Sequence, residues 1–291
     1  MNVGVVDIGT NSMRLLITDG VDEVGRWVEV TGLGRGVDRT GFLSPEGAED
    51  SLAALARFGR VMDAAAVERR MAIATSAARD ASDREAFFDL AESALGVRPT
   101  LITGENEARL AFAGATSRSH FEPPVVVSDI GGGSTEFVTV AAAVSIDVGS
   151  VRLTERSIPS RPAPVSELDA ARDLIARLFE TIDLEAGTLI GVAGTWTSLA
   201  AIALDLPEYS RDLVDGYRMQ RETLTSVVES LSGRSVEETA AIPSLDPNRA
   251  PVILAGSLIS VAVMAVLGVY RVLVSEHVRL DGAAIELLAL P

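Results

Sequence analysis

Short apolar runs and longer amphipathic segments alternate along this chain of 291 residues. Apolar, β-branched runs that stop at turn residues predict strands over residues 2–7, 13–18, 23–31, 69–74, 97–103, 125–129, 143–148, 188–192 and 272–275. Helical spacing predicts helices over 46–65, 83–95, 105–115, 166–182, 221–231, 235–241 and 281–290, and one that begins at residue 197. Ser82, with Glu85 three residues later, is predicted to cap the helix over 83–95, and the glycine-rich segment 32–41 is predicted to be a loop. Strands that alternate with helices indicate an α/β fold.

One stretch combines a strand, a glycine turn and a second strand: residues 125–140, which read VVVSDIGGGSTEFVTV. Gly131, Gly132 and Gly133 lack a Cβ, so their backbone N–H groups can approach an anion closely. Side chains suited to phosphate or to Mg²⁺ flank the glycines, namely Asp129, Ser134, Thr135 and Glu136. The stretch therefore predicts a site for phosphoryl chemistry, with a glycine hairpin that binds nothing as the alternative.

The N-terminal segment, VGVVDIGTNSMRLLI, repeats this pattern. The corresponding residues are Asp7 and Asp129, Gly9 and Gly131, and Ser12 and Ser134. Such a repeat predicts two similar domains, each with a phosphate loop. Two prolines and polar residues interrupt the pattern over 118–124, which predicts domains of residues 1–120 and 121–291. Asn11 and Ser12 are candidate phosphate ligands in the first loop, and Asp7 is either a metal ligand or a residue that only caps the turn.

Polar residues of interest also follow other predicted strands. Ser76 and Arg79 follow the strand over 69–74; Arg79 is a candidate phosphate ligand, with a surface role or a pair with Asp80 as the alternative. Thr195 follows the strand over 188–192, where it either contributes to an anion site or N-caps its helix. Glu107 lies in the first turn of the helix over 105–115, a position that the helix dipole alone also favours.

Composition excludes several classes of site and partner. The chain has no Cys, which excludes disulfides and thiolate metal sites and is consistent with a cytoplasmic protein. Its net charge of −16 argues against nucleic-acid binding, and it means that a phosphate substrate needs local Arg, N–H donors or a metal. Residues 250–270 carry no charge and are long enough to cross a bilayer. Pro251 and the strand-like residues that follow favour a buried helix and a strand instead, so no membrane association is expected.

Seven stretches carry a family resemblance: DIGTNS (7–12), TSAARDA (75–81), GENEARL (104–110), DIGGGSTE (129–136), Gly194–Thr195, Arg249 with Gly256, and SEHVRLDG (275–282). In this order they resemble the exopolyphosphatase and guanosine pentaphosphate phosphatase (Ppx/GppA) family of the actin, Hsp70 and sugar-kinase superfamily. The resemblance implies two ribonuclease-H-like α/β domains with the active site in a cleft between them. It also implies that the last helix, at about residues 283–291, packs back on the first domain.

The resemblance further assigns roles to single residues. Glu107 matches the family's catalytic base, which deprotonates the water that attacks the terminal phosphorus. Asp129 and Glu136 match the catalytic carboxylates that hold Mg²⁺ or the nucleophilic water, and Asp7 matches a further acid on the metal side. Arg79 and the amides of the loops would offset the charge of the phosphates.

The function expected from these residues is Mg²⁺-dependent release of terminal orthophosphate from inorganic polyphosphate, with short chains preferred. Removal of the 5′ γ-phosphate of guanosine pentaphosphate is the first alternative, because the same motifs serve both substrates. An ATPase or kinase of the same superfamily and a non-enzymatic sensor of alarmones or polyphosphate are the others. The resemblance also implies a homodimer.

Overall fold

The structure, a computed structural model, describes residues 1–117 and 121–290. Its strands are β1 (Val3–Ile8), β2 (Ser12–Thr18), β3 (Glu23–Val30), β4 (Arg69–Ala74), β5 (Thr100–Leu101), β6 (Val125–Ile130), β7 (Thr135–Val138), β8 (Ala143–Ile146), β9 (Thr188–Val192), β10 (Arg218–Gln220) and β11 (Arg271–Ser275). Its helices are α1 (Val37–Thr40), α2 (Pro45–Ala64), α3 (Ser76–Asp80), α4 (Arg84–Leu95), α5 (Gly104–Thr116), α6 (Ser150–Ser157), α7 (Val165–Phe179), α8 (Ala193–Ala203), α9 (Arg211–Val214), α10 (Arg221–Ser232), α11 (Val236–Ala240), α12 (Ile253–Val266) and α13 (Arg279–Ala289). A short 3₁₀ helix spans Pro247–Arg249.

The chain forms two compact units. Unit 1 consists of Met1–Gly114 and Arg279–Pro291, and unit 2 consists of Ala115–Val278. Unit 1 is therefore built from two separate parts of the sequence, and its last helix, α13, contacts β1, β2 and β4. The predicted boundary, between residues 120 and 121, begins in a segment that lies outside the described residues.

The sheet of unit 1 has the order β3-β2-β1-β4-β5. β1 pairs antiparallel with β2 and parallel with β4, and β4 pairs parallel with β5. All six residues of β1 are buried, which explains why this strand reads as one continuous apolar run. β3 is the edge strand, and its residues alternate between partly buried and exposed positions except at Arg26, which is also partly buried. Leu55, Phe58 and Met62 of α2 complete the core of this unit.

The sheet of unit 2 has the order β10-β11-β9-β6-β7-β8. From β8 to β11 it repeats the order and the strand directions of unit 1, and β10 adds one antiparallel strand at the far edge. Its core contains the buried Trp196 and an edge-to-face pair of Phe137 and Phe179, with ring centroids 5.3 Å apart. The two matching sheets confirm the predicted α/β fold with two ribonuclease-H-like units.

The uncharged segment over residues 250–270 forms the buried helix α12, and β11 follows it, as predicted. Helices α7, α8 and α10 pack around α12 within unit 2. Its apolar residues are therefore accounted for by the core of the unit. Among residues 1–117 and 121–290, no helix combines the length and the apolar character that a bilayer crossing requires.

Several local predictions are wrong. Ser82 does not cap α4: the N-cap residue is Asp83, which makes no side-chain cap, and its Oδ1 accepts a hydrogen bond from the Leu43 N–H at 3.1 Å. The segment 97–103 contains only the two-residue strand β5, and the segment 32–41 contains the short helix α1. Helix α8 begins at Ala193 instead of residue 197, because Ala193 adopts a left-handed φ of 64° that turns the chain from β9 straight into the helix.

Candidate functional site

Candidate residues of unit 1 gather at one edge of its sheet. β1, β4 and β5 run parallel, so their carboxyl ends meet at the same edge, where ligands bind in open α/β sheets. Asp7 lies near the end of β1, Ser76 and Arg79 lie in α3 after β4, and Glu107 lies in the first turn of α5 after β5. The fold therefore brings together polar residues that are far apart in the sequence.

The loop between β1 and β2 is a tight turn, in which the Gly9 N–H donates to the Ser12 carbonyl at 3.1 Å. The hydroxyl oxygens of Thr10 and Ser76 lie 2.8 Å apart, which joins the turn to the start of α3. The side chains of Asn11 and Ser76 are exposed, and that of Ser12 is half-buried. The turn and α3 thus form one polar surface, which contains these three predicted phosphate ligands.

The loop between β6 and β7 has the same closure, since the Gly131 N–H donates to the Ser134 carbonyl at 3.0 Å. The carbonyls of Gly131 and Gly132 accept hydrogen bonds from the first N–H groups of α6, at 2.9 and 3.0 Å. In a trans peptide the N–H points away from the preceding carbonyl. The N–H groups of Gly132 and Gly133 therefore point away from α6, in the orientation that an anion site requires.

Two threonines predicted to bind phosphate form hydrogen bonds to backbone carbonyls beside this loop. The hydroxyl of Thr135 is buried and donates to the Val148 carbonyl at 2.6 Å. The hydroxyl of Thr195, inside the first turn of α8, donates to the Ile130 carbonyl at 2.8 Å. Their hydroxyl hydrogens are used inside the protein, so the structure gives both residues a role in shaping the loop. Phosphate binding by either residue stays a prediction.

The two loops differ in the residue that lies opposite their aspartate. In unit 1, Asp7 of β1 pairs in register with Arg14 of β2. In unit 2, Asp129 of β6 pairs in register with Glu136 of β7, which places both carboxylates on one face of the sheet. Glu136 also accepts a hydrogen bond from the Ser145 hydroxyl at 2.9 Å. The repeated hairpin thus carries a carboxylate opposite a guanidinium in unit 1 and two facing carboxylates in unit 2.

Glu107 lies between two arginines. Its Oε2 is 3.5 Å from Nη2 of Arg79, and its Oε1 forms an ion pair with Nη1 of Arg279, the first residue of α13. Nε of Arg279 is in turn 3.3 Å from Oδ2 of Asp7. Burial is the main cause of a lowered pKa of Arg279, which Asp7 opposes and Arg14 reinforces. A guanidinium stays charged even so, so Glu107 lies beside two positive charges.

Sequence reasoning missed Arg279. It lies in the stretch SEHVRLDG, but nothing in its spacing indicates a partner in α5 or β1. The resemblance implies that the last helix packs on the first domain, but it does not indicate that Arg279 pairs with Glu107 and Asp7, which the structure shows. The chain has 41 acidic and 25 basic residues, so the sequence alone does not indicate which of them pair. Only the folded structure shows that the buried Arg279 contacts two candidate site carboxylates.

The start of α8, in unit 2, is the third turn of interest, after the β1–β2 and β6–β7 loops. A Cβ at Gly194 would overlap the guanidinium of Arg249, which lies directly over this glycine. A Cβ at Gly256 of α12 would lie 2.7 Å from Cγ2 of Thr195, a short side chain whose hydroxyl is bonded to Ile130. These contacts join the stretches that contain Gly194, Arg249 and Gly256, and the close approach of Thr195 explains the glycine at position 256.

The predicted metal ligands offer partial sites. Among the described residues, no three His, Asp or Glu side chains converge as a ready-made metal site. Oδ1 of Asp7 is buried and has no hydrogen-bond partner in the described part of the chain, whereas Asp129 and Glu136 share a face. Mg²⁺ is commonly held by one or two carboxylates together with water and substrate phosphates. Asp7 in unit 1, and the pair of Asp129 and Glu136 in unit 2, each offer oxygen donors of this kind.

Comparisons with known proteins agree with this arrangement. Residues 18–289 match the Ppx/GppA phosphatase family. Exopolyphosphatase 2 of Mycobacterium tuberculosis is 36% identical over 312 residues, which cover 98% of both chains. The crystal structure of an exopolyphosphatase-like protein matches with a TM-score of 0.90 at 35% identity and 98% coverage of both chains. The PPX-GPPA enzyme of Aquifex aeolicus matches with a TM-score of 0.87 at 28% identity, covering 98% of this chain and 99% of that one. This chain belongs to the Ppx/GppA phosphatase family.

Proposed function

We propose that this protein is an exopolyphosphatase, which releases terminal orthophosphate from inorganic polyphosphate. The observation that carries the proposal is the position of Glu107, whose carboxylate lies between two guanidinium groups at the sheet edge that also carries the proposed phosphate loop. The relative named exopolyphosphatase 2 supports the same substrate class, since it aligns over nearly the whole chain.

The proposed reaction is hydrolysis of one phosphoanhydride bond. A water molecule loses a proton to the carboxylate of Glu107 and attacks the terminal phosphorus, while the bond from that phosphorus to the bridging oxygen breaks. The proposed groups that offset the charge of phosphate oxygens are the guanidinium of Arg79 in unit 1 and the amides of Gly132 and Gly133 in unit 2. The leaving chain, shorter by one unit, keeps the electron pair of the broken bond on its terminal oxygen.

Mg²⁺ or another divalent cation is the proposed cofactor, and Asp7, Asp129 and Glu136 are its proposed protein ligands. When bound, such an ion neutralises charge on the phosphate oxygens. We expect a cation to be needed because the protein, with a net charge of −16, repels polyanions at long range. Location in the cytoplasm, with which the absence of Cys is consistent, is a further part of the proposal. Assembly as a homodimer is another, which the family resemblance implies.

A substrate panel tests this function. Phosphate release is measured from tripolyphosphate, from longer polyphosphates and from guanosine pentaphosphate, each with Mg²⁺ and with excess EDTA. Glu107→Gln should lower kcat by about 10²- to 10⁴-fold, the usual contribution of a general base. Glu105→Gln, an exposed change in the same helical turn, serves as the matched control and should remain within twofold of wild type. Equal activity of wild type and Glu107→Gln would exclude the proposed base.

The same panel decides the second candidate function, hydrolysis of guanosine pentaphosphate. The family description covers both kinds of phosphatase. A higher kcat/KM for guanosine pentaphosphate than for any polyphosphate would replace the proposed substrate and leave the role of Glu107 in place. Transfer of phosphate from ATP to an acceptor, with none released from polyphosphate, would show a kinase instead. Tight binding without turnover would show a sensor.

A further inference from the structure

Arg279 connects two candidate site carboxylates that come from different parts of the sequence. Nη1 of its guanidinium pairs with Glu107 of α5, and Nε lies 3.3 Å from Oδ2 of Asp7 in β1. We propose that Arg279 is a positioning residue, which fixes the carboxylate of Glu107 relative to Asp7 so that the base meets its water in the right orientation. This role rests on the function proposed above.

Arg279 is more buried than Arg79, the other arginine beside Glu107. The side chain of Arg279 is 14% exposed, whereas that of Arg79 is 39% exposed. An exposed guanidinium is able to meet a phosphate in solution, and a buried one whose two sides face carboxylates is not. Arg279 therefore acts through Glu107, and Arg79 remains the phosphate ligand of the pair.

The chemistry of the guanidinium suits this role. It is planar and always charged, and its N–H groups form a rigid fork that sets the distance between the groups it binds. Without it, Asp7, which is 2% exposed, and the partly buried Glu107 would lose the positive charge that they share. Like charges in a poorly solvated place repel, so the two carboxylates would be driven apart and Glu107 would lose its fixed position.

The helix that carries Arg279 is itself fixed to unit 1. Asp281 of α13 pairs with Arg26 at 2.6 Å, and both side chains are about 10% exposed. Gly282 packs so closely against α5 that a Cβ would overlap the Leu110 carbonyl. The start of α13 is therefore held one turn away from Glu107, which leaves the guanidinium little freedom to move.

Asp7 completes the arrangement. Arg279 approaches one of its oxygens, and the other, Oδ1, is buried with no hydrogen-bond partner among the described residues. A buried carboxylate oxygen without a partner is costly unless a cation or a water meets it. The same guanidinium thus orients Asp7 so that Oδ1 is left for that second partner, and it holds Glu107 at the same time.

Arg279→Met and Arg279→Lys test the proposal, with Glu286→Gln as the matched control. Glu286 also pairs α13 with α5, through Arg109, but that pair is solvent-exposed and does not include Glu107. Loss of a positioning partner typically costs 10- to 100-fold. With tripolyphosphate and Mg²⁺, we expect Arg279→Met to lower kcat by that factor with KM within threefold of wild type. Arg279→Lys should recover part of the loss, and Glu286→Gln should behave as wild type.

Crystal structures of the variants supply a readout that does not depend on activity. The Glu107 carboxylate should move by about 1 Å or more in Arg279→Met, a displacement large enough to impair catalysis, while the backbone of α5 stays in place. An unmoved carboxylate, or a raised KM with unchanged kcat, would overturn the positioning role. If wild type hydrolyses none of the substrates, the proposed function fails and the crystal structures alone decide the positioning role. If Arg279→Met does not fold, Arg279→Lys decides in its place.

Discussion

Gly149 offers a way to move the glycine loop of unit 2 without touching any proposed ligand. It is the N-cap residue of α6, and its backbone lies against the loop. A Cβ at this position would lie 2.5 Å from both the Gly132 oxygen and the Gly133 nitrogen. Because these are backbone atoms, no side-chain rotation relieves the overlap. Gly149→Ala must therefore push the loop away from α6.

The size of the effect follows from this distance. Non-bonded atoms prefer a separation of about 3.5 Å, so the loop has to move by about 1 Å. A displacement of 1 Å in a catalytic site is able to cost about 10²-fold in rate. Overpacking of this kind typically destabilises by about 1–3 kcal/mol. We therefore expect Gly149→Ala to lower kcat/KM for tripolyphosphate by about 10- to 100-fold and to remain folded.

The measurement is phosphate release at several substrate concentrations, with thermal unfolding followed by circular dichroism. Gly233→Ala is the control, because Gly233 has a φ of −81° and a Cβ there would meet only one atom, at 4.0 Å. This control should match wild type in both assays. Full activity of Gly149→Ala would refute the assignment of the Gly132 and Gly133 amides to phosphate binding.

Two further predictions concern stability. Thr195→Val removes the hydroxyl that donates to the Ile130 carbonyl and should lower the free energy of unfolding, measured in urea, by about 1–3 kcal/mol. Thr195→Ser keeps the donor and is the control. Equal stability of Thr195→Val and wild type would contradict this role. Partial burial raises the pKa of Asp215, but hydrogen bonds from His277 and from the Glu276 N–H outweigh it and lower that pKa below its ordinary 3.8. The carboxylate therefore contributes stability above pH 4 that is lost as the pH falls through the lowered pKa. Asp215→Asn should lose less stability than wild type over that acid range, as measured by unfolding at a series of pH values.

Sequence reasoning found the hairpins because their signal is local. An apolar run, a glycine turn and a hydroxyl residue are neighbours in the chain, and Gly9 and Gly131 make the same hydrogen bond in the structure. The start of α8 was missed for a different reason. It depends on the left-handed backbone of Ala193, which alanine adopts rarely, so no propensity indicates it.

The environment of Glu107 was inaccessible from sequence for a third reason. Its position in a helical first turn is visible in the residues, but its partner Arg279 is placed by tertiary packing. That packing depends on the close contact of Gly282 with α5 and on the buried pair of Arg26 with Asp281. Such contacts join elements at opposite ends of the chain, and no periodicity or cap in a single segment encodes them.

Unit 1 is built from two separate parts of the sequence, so its last part is synthesised only after unit 2. Glu107 leaves the ribosome before all of unit 2, residues 115–278, and Arg279 follows only after it. At about 5–20 residues per second, this delay is on the order of ten seconds or more. During that time the nascent N-terminal part has its glycine turn but lacks the helix that carries Arg279. A chain built in this order acquires the ion-pair partner of Glu107 only after all of unit 2 has been translated.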